Sequence, residues 1–168
     1  MRTEREDATT WRGSRARVAV GLAAILVVGA LGRSGLAHHS FAMYDTTTTK
    51  TLTGKLVRFI PGSNHAQLIF ELLGADGKPV LDGAGNPVVW GVETGPAFSL
   101  ARHGVTVKSF TPGTILTVTL NPLRDGRNFG ALRGDGGLIG CGTTWPEGGC
   151  NETTGRVFIQ PTGPGPEF

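Results

Sequence analysis

The sequence predicts an all-β fold, mainly antiparallel, that forms a small closed or partly open barrel of five or six strands with one short helix. Two observations predict it: short segments in which apolar and polar residues alternate, and turns rich in Gly and Pro that separate those segments. A barrel resembling the oligonucleotide/oligosaccharide-binding (OB) type suits this number of short strands best. A two-sheet β-sandwich is the alternative.

The clearest strand is predicted at residues 50–60, where Leu52, Leu56 and Phe59 alternate with polar residues. Gly54 within it indicates a bulge or a bend. Residues 74–87 contain Asp-Gly and Asn-Pro steps, which are typical of turns. Further strand-like segments are residues 66–73, 88–92, 105–110, 114–120, 131–139 and 157–159.

The single helix is predicted between Pro96 and Gly104. Proline suits the first helical turn, and glycine is typical of the position where a helix ends. Within this segment we expect Phe98, Leu100 and Ala101 to face the core.

The first 37 residues have the pattern of a secretory signal peptide. Arg12, Arg15 and Arg17 precede the 14-residue apolar run 18–31, and small residues follow at 35–37. The run is shorter than the roughly 18 residues that a membrane helix needs. The chain is therefore predicted to comprise a leader (1–37), one β-barrel domain (38–160) and a flexible Pro/Gly tail (161–168). It would be periplasmic or secreted, with no stable membrane span after cleavage.

Cleavage would remove the basic character of the chain. The leader holds six of the 16 Lys and Arg and three of the 13 Asp and Glu, so residues 38–168 carry ten of each sign. A domain with no net charge has little electrostatic attraction for nucleic acid or an anionic membrane, and neither partner is predicted.

Cys141 and Cys150 enclose a polar, Gly-rich stretch. In an oxidising compartment two cysteines at this spacing are expected to form a disulfide that closes the loop. A thiolate metal site would favour closer Cys-x-x-Cys spacing or a nearby His.

A set of short segments is shared with other sequences: 38–45 (HHSFAMYD), 52–54 (LTG), 64–66 (NHA), Trp90, Glu93, 100–104 (LARHG), 112–113 (PG) and 121–126 (NPLRDG). Together they resemble a family of exported bacterial proteins of unknown function. The resemblance covers roughly residues 38–140 and implies export and a small β-fold, without an established reaction. The family's usual Asn-Pro-His element stands here as Ser63-Asn64-His65, and the loops at 74–87 and 141–156 look like additions.

Histidines are the candidate metal ligands. Cleavage after Ala37 would leave His38 at the terminus, where its α-amine and Nδ1 could chelate one ion, and imidazole suits copper, zinc and nickel. His65, at the start of a strand, is the best third ligand, and His39 and His103 are alternatives. Cleavage one residue earlier would instead place His39 third in a square-planar chelate that leaves the barrel uninvolved. The competing interpretation is a solvated terminus, with His65 only bonding a turn.

Four further residues are candidates for a structural or pocket role. Glu93 could pair with Arg102 or Arg124 and so fix the helix against the sheet. Arg124 could present its charge at a rim loop, but Asp125 and Gly126 favour a tight corner in which Gly126 takes a positive φ. No catalytic residue is assigned.

Three functions remain open. The pattern favours a periplasmic binding module with a transition metal, copper first, as its ligand. The alternatives are a metal-free accessory subunit that docks on an exported protein partner and a copper-dependent oxidative enzyme with an open position on the metal.

Overall fold

A computed structural model describes residues 42–132 and 136–160. By its internal contacts the chain divides into two units at residue 42, and the second unit is Met43–Phe168. Every described residue except Ala42 belongs to the second unit. The predicted leader, His38, His39 and the predicted tail lie outside the described residues.

The regular secondary structure of the described chain is mostly β-strand, as predicted, and its one helix, α1 (Ala97–Arg102), lies between the third and fourth strands. The strands are β1 (Lys50–Ile60), β2 (Gln67–Leu72), β3 (Val89–Glu93), β4 (Ile115–Pro122), β5 (Phe129–Ala131), β6 (Leu138–Gly140) and β7 (Arg156–Ile159).

Five of these strands form a closed barrel in the order β1-β2-β3-β5-β4, with β4 returning to β1. All neighbours are antiparallel except the parallel pair β3 and β5. Strands β6 and β7 extend the sheet outward from β4. The barrel prediction is therefore confirmed over the sandwich alternative.

Strand β1 closes the barrel because it is long enough to have two partners. Its first half, Lys50–Lys55, pairs with β4, and its second half, from Gly54 onward, pairs with β2. Gly54 itself is paired on both sides, with Leu72 and Leu116, so the predicted bulge at this glycine is wrong. The register shift lies between Leu56 and Arg58 instead.

Alternate residues of the strands fill the barrel, as the pattern of the sequence predicts. Trp90 is 7% exposed and belongs to this core. The most deeply buried strand residues of the cluster are Leu56, Leu68, Phe70, Val92, Leu116, Val118, Leu120 and Leu138.

Helix α1 packs on the core through one face only. Leu100 is 3% exposed, whereas Phe98 is 62% exposed and Ala101 is also exposed, so the prediction that both face the core is wrong. Residues two apart on a helix point in nearly opposite directions, and a six-residue helix cannot bury both Phe98 and Leu100. Pro96 precedes the helix, and Gly104 follows it with a φ of +85°.

The strand predicted at residues 105–110 is a turn. Ser109 Oγ accepts a hydrogen bond from the backbone N–H of Thr106 and donates to the carbonyl oxygen of Gly104, at 2.8 and 2.6 Å. The N–H of Phe110 also donates to the carbonyl of Thr106. Side chains that bond the local backbone compete with strand pairing, and here they bury Val105 and Phe110 without a sheet.

The strand predicted at 131–139 is two separate strands. Strand β5 ends at Ala131 and β6 begins at Leu138, and residues 133–135 between them are outside the described part of the chain. Strand β5 begins at Phe129, two residues before the predicted segment.

Cys141 and Cys150 form the predicted disulfide, with a Cα–Cα distance of 5.8 Å. The loop they close lies on the outer face of the barrel, because Thr117 Oγ1 of β4 donates to the carbonyl oxygen of Cys150 at 2.7 Å. A second apolar cluster joins the loop to the barrel; its members include Leu73, Ile115, Ile139, Cys150, Cys141, Trp145 and Val157.

Nowhere in residues 42–132 and 136–160 is there a helix both long and apolar enough to cross a membrane.

Reduction of the disulfide is expected to lower the free energy of unfolding by about 2–3 kcal/mol, because the unfolded chain regains the freedom of a loop of about ten residues. Urea unfolding with and without a thiol reductant measures the difference. A Cys141→Ser/Cys150→Ser double variant serves as the control and should not respond to reductant. Equal midpoints for oxidised and reduced protein would contradict the expectation.

Gly54→Ala is expected to destabilise the barrel by about 1–3 kcal/mol. An added Cβ would overlap the ring of Phe70 and lie 2.7 Å from the carbonyl oxygen of Glu71. Gly83→Ala is the matched control, since a Cβ there meets nothing within 4 Å. Urea midpoints of the two variants test the difference, and similar values would show that β1 has room at Gly54.

Candidate functional site

At one end of the barrel the β1–β2 loop lies beside the end of β3. Strand β2 begins here, with Gln67 paired to Glu93 at the end of β3. Ala66, just before β2, is fully buried, donates its N–H to the carbonyl of Gly95 and accepts the N–H of Thr94. The hydroxyl of Thr94 also donates to the carbonyl of Ala66, at 3.1 Å. The backbone beside His65 is thus held on the end of β3.

The His65 ring contacts Glu93 and Thr94 through the same nitrogen. Its Nδ1 lies 3.3 Å from the carbonyl oxygen of Thr94 and 3.5 Å from Oε1 of Glu93. Both oxygens are acceptors, so these contacts favour the proton on Nδ1. The neutral ring then has its lone pair on Nε2. The side chain is 45% exposed, which leaves the ring accessible to a ligand.

Glu93 also contacts Tyr44, which sequence reasoning assigned no role. Tyr44 is 1% exposed, and its hydroxyl donates to the Glu93 carboxylate. Burial, and then the negative charge and hydrogen bond of Glu93, raise the pKa of Tyr44 to about 12. Glu93 therefore lies between a neutral phenol and the imidazole of His65.

The backbone on either side of Tyr44 is paired with the end of β4. Tyr44 bridges Leu123, and the N–H of Asp45 donates to the carbonyl of Pro122 at 2.8 Å. The N–H of Arg124 donates to the carbonyl of Met43. The segment that precedes β1 thus crosses the same end of the barrel as His65.

Hydrogen bonds from Thr47 and Thr48, with a smaller contribution from the charge of Arg124, lower the pKa of Asp45 to about 2. Asp45 is consequently ionised at neutral pH and adds a fixed negative charge to the segment that precedes β1.

Asp125 and Gly126 form a corner after β4. The Asp125 carboxylate accepts the N–H of Arg127, two residues on, and its other oxygen lies 2.8 Å from Arg127 Nε. These contacts lower the pKa of Asp125. Gly126 has a φ of +79°, which L side chains rarely adopt.

Two other predicted residues lie at the far end of helix α1. His103 follows the helix and donates its N–H to the carbonyl of Leu100, and the helix rises about 9 Å from its start. Arg102 lies over the ring of Phe98, 5.8 Å from its centre, and forms no ion pair with Glu93 in the described structure.

Taken alone, residues 42–132 and 136–160 contain no group of three His, Cys, Asp or Glu residues that could hold a metal ion. What they do contain is one oriented imidazole with an acidic partner. Such a site can donate one nitrogen to a cation and place a carboxylate charge behind it.

Tyr44 and Thr94 left little signal in the sequence. Tyr44 is the single tyrosine of the chain, but its contact with Glu93 joins residues 49 positions apart. Thr94 acts mainly through its backbone, which no side-chain pattern reveals.

Glu93→Gln is expected to lower the pKa of Tyr44 below about 12, yet leave it above 10, because burial is the largest cause of the shift. As Tyr44 is the single tyrosine, tyrosinate absorbance follows its ionisation directly. The raised pKa also means that the stability from Tyr44 is present below about pH 10 and is lost as the pH rises to about 12. The control is Glu71→Gln on strand β2, and an unchanged titration in Glu93→Gln would contradict the assigned contact.

No curated protein and no solved structure matches this chain. One family model does, over residues 25–132, which is more than half of the chain and includes β1 to β5 with helix α1. The matched stretch ends at residue 132 rather than near 140, so β6, β7 and the disulfide loop fall outside it. The chain belongs to the family described as a family of unknown function, DUF6152.

Proposed function

We propose that this protein is an exported binding module. It holds one transition-metal ion, with copper as the first candidate, through His65 and the histidines that would begin the mature chain. The observation that carries the proposal is the contact of His65 Nδ1 with Thr94 and Glu93. Metal-binding histidines almost always donate their other ring N–H to a carboxylate or a backbone carbonyl. In His65 both kinds of acceptor lie at one nitrogen, and Nε2 is left for the ion.

Charge supports a cation as the ligand. Glu93 lies behind the ring of His65, and Tyr44 donates a hydrogen bond to the same carboxylate. A positive ion at Nε2 would draw electron density from the ring and make Nδ1–H a stronger donor to Glu93, while the carboxylate in turn raises the basicity of Nε2.

The remaining ligands in this proposal are the α-amine and Nδ1 of His38, with His39 as the alternative. Six residues, 38–43, precede Tyr44, and an extended chain of that length spans at most about 20 Å. Three nitrogens in a plane suit copper(II), which favours tetragonal nitrogen coordination.

The position of His65 on the fold also supports a binding role. OB-type barrels use the β1–β2 and β4–β5 loops and the face of strands 2 and 3 to bind ligands. His65 lies in the β1–β2 loop, and Glu93 ends β3. The likeness to OB-type barrels concerns the fold alone, and the chemistry of the ligand rests on the histidines.

Native mass spectrometry of the exported protein, with and without added copper(II), tests the proposal. We expect a mass that begins at His38 and one retained copper per chain. His38→Ala and His65→Ala should each lose the ion, while His103→Ala, at the far end of α1, is the matched control and should retain it. Glu93→Gln should weaken binding about 10–100-fold.

A chain that retains no copper, or a His65→Ala variant that binds as the parent does, would contradict the proposal. A stoichiometric co-purified protein in the absence of metal would favour the accessory-subunit alternative. Reductant-dependent turnover by the copper-loaded chain would favour the oxidative enzyme.

A further inference from the structure

A groove of about 400 Å³ lies on the outside of the barrel, beneath the disulfide loop. Its walls come from Thr51 and Thr53 of β1, from the end of β2 with the following turn, and from Trp145 and residues 148–151 of the loop. It is distinct from the site at His65. His65 lies just before the first residue of β2 and the groove begins at its last, about 17 Å along the strand.

The groove is built from parts that are held in place. The disulfide closes the loop, and Thr117 bonds the carbonyl of Cys150. The indole of Trp145 packs against the turn at Gly77, where an added Cβ would lie 2.7 Å from its Cγ. Trp145 therefore links the loop to the turn after β2 and forms a rigid apolar wall.

The lining of the groove carries no charge. It consists of threonine, asparagine, glycine, alanine, leucine, cystine and tryptophan residues. The nearest charged residues of the adjacent turn, Asp76 and Lys78, pair with each other at 3.3 Å. An anionic ligand would lose hydration here without gaining a cationic partner, so the groove favours an uncharged ligand over an anionic one.

The hydroxyl of Thr53 determines which polar group of a ligand can form a hydrogen bond with it. Thr117 Oγ1 donates its proton to the carbonyl of Cys150, so it can only accept from Thr53 Oγ1, 2.8 Å away. The proton of Thr53 is then also committed. The remaining lone pair of Thr53 Oγ1 can then only accept, and a ligand with a hydroxyl donor would satisfy it.

We propose that this groove binds a neutral sugar. A pyranose ring has an apolar face for the indole of Trp145, hydroxyl donors for Thr53 and no charge. The volume of the groove lies within the range of about 300–1,000 Å³ that is usual for small-ligand sites. The proposal does not rest on metal binding at His65.

Two-dimensional ¹H–¹⁵N NMR of the full chain, titrated with N-acetylglucosamine, glucose or glucuronate, tests it. The chain has three tryptophans, and the indole N–H of each gives its own resonance. We expect a neutral sugar to shift the Trp145 indole signal with saturation, while the buried Trp90 signal stays in place. Glucuronate, which carries a charge, should bind at least tenfold more weakly.

Ala75→Arg would fill the groove from an exposed position and should abolish the shift. Ala84→Arg, in the next turn and away from the groove, is the matched control and should bind as the parent does. Thr53→Val should weaken binding about three- to tenfold through loss of one hydrogen bond, and Thr53→Ser should restore it.

Three results would overturn the proposal: no saturable shift with either neutral sugar, a shift that persists in Ala75→Arg, or equal affinity for glucuronate. Unchanged affinity in Thr53→Val would overturn the role given to its hydroxyl.

Discussion

Closure of the barrel by β1 is the constraint on which the other features depend. This strand pairs with β4 along its first half and with β2 along its second, and Gly54 is shared by both pairings. The first pairing places a row of threonines on the outer face, where the disulfide loop lies. The second sets the start of β2, and with it the place of His65 beside the end of β3.

Glu93 connects two segments that are far apart along the chain. Tyr44 comes from the segment before β1, and His65 comes from the loop after it. A carboxylate at the partly buried end of a strand requires donors, and it receives one from each segment. The side chain of Glu93 therefore links two features: the entry of the chain into the barrel at Tyr44 and the orientation of the His65 imidazole.

Much of the fold could be predicted because the alternation of apolar residues is local. Strands β1 and β4 show that alternation, β2 is rich in branched and aromatic residues, and the disulfide joins cysteines only nine residues apart. Prediction was wrong where a local competitor acted, as at 105–110, where Thr106 and Ser109 bond the backbone. It was also wrong at Phe98, whose exposure depends on which face of a short helix meets the barrel.

The candidate site was less predictable, since its contacts join distant residues. His65 and Glu93 were named as candidates, but the partners considered for Glu93 were Arg102 and Arg124, and Tyr44 was given no role. Which donor reaches a carboxylate depends on the register of β2 against β3 and on the bridge from Tyr44 to Leu123. Neither can be derived from spacing along the chain.

The pairing of β1 with β4 has a consequence for the order of folding. The threonine pairs that join these strands connect residues 64 and 68 positions apart. The chain between β1 and β4 must therefore form a long loop before the barrel can close. Contacts of such high sequence separation slow folding. Until residues 115–120 are available, the first half of β1 is an unpaired strand edge that another chain could occupy. A partly synthesised or truncated chain would therefore be prone to intermolecular pairing at residues 50–55, and the complete barrel removes that edge.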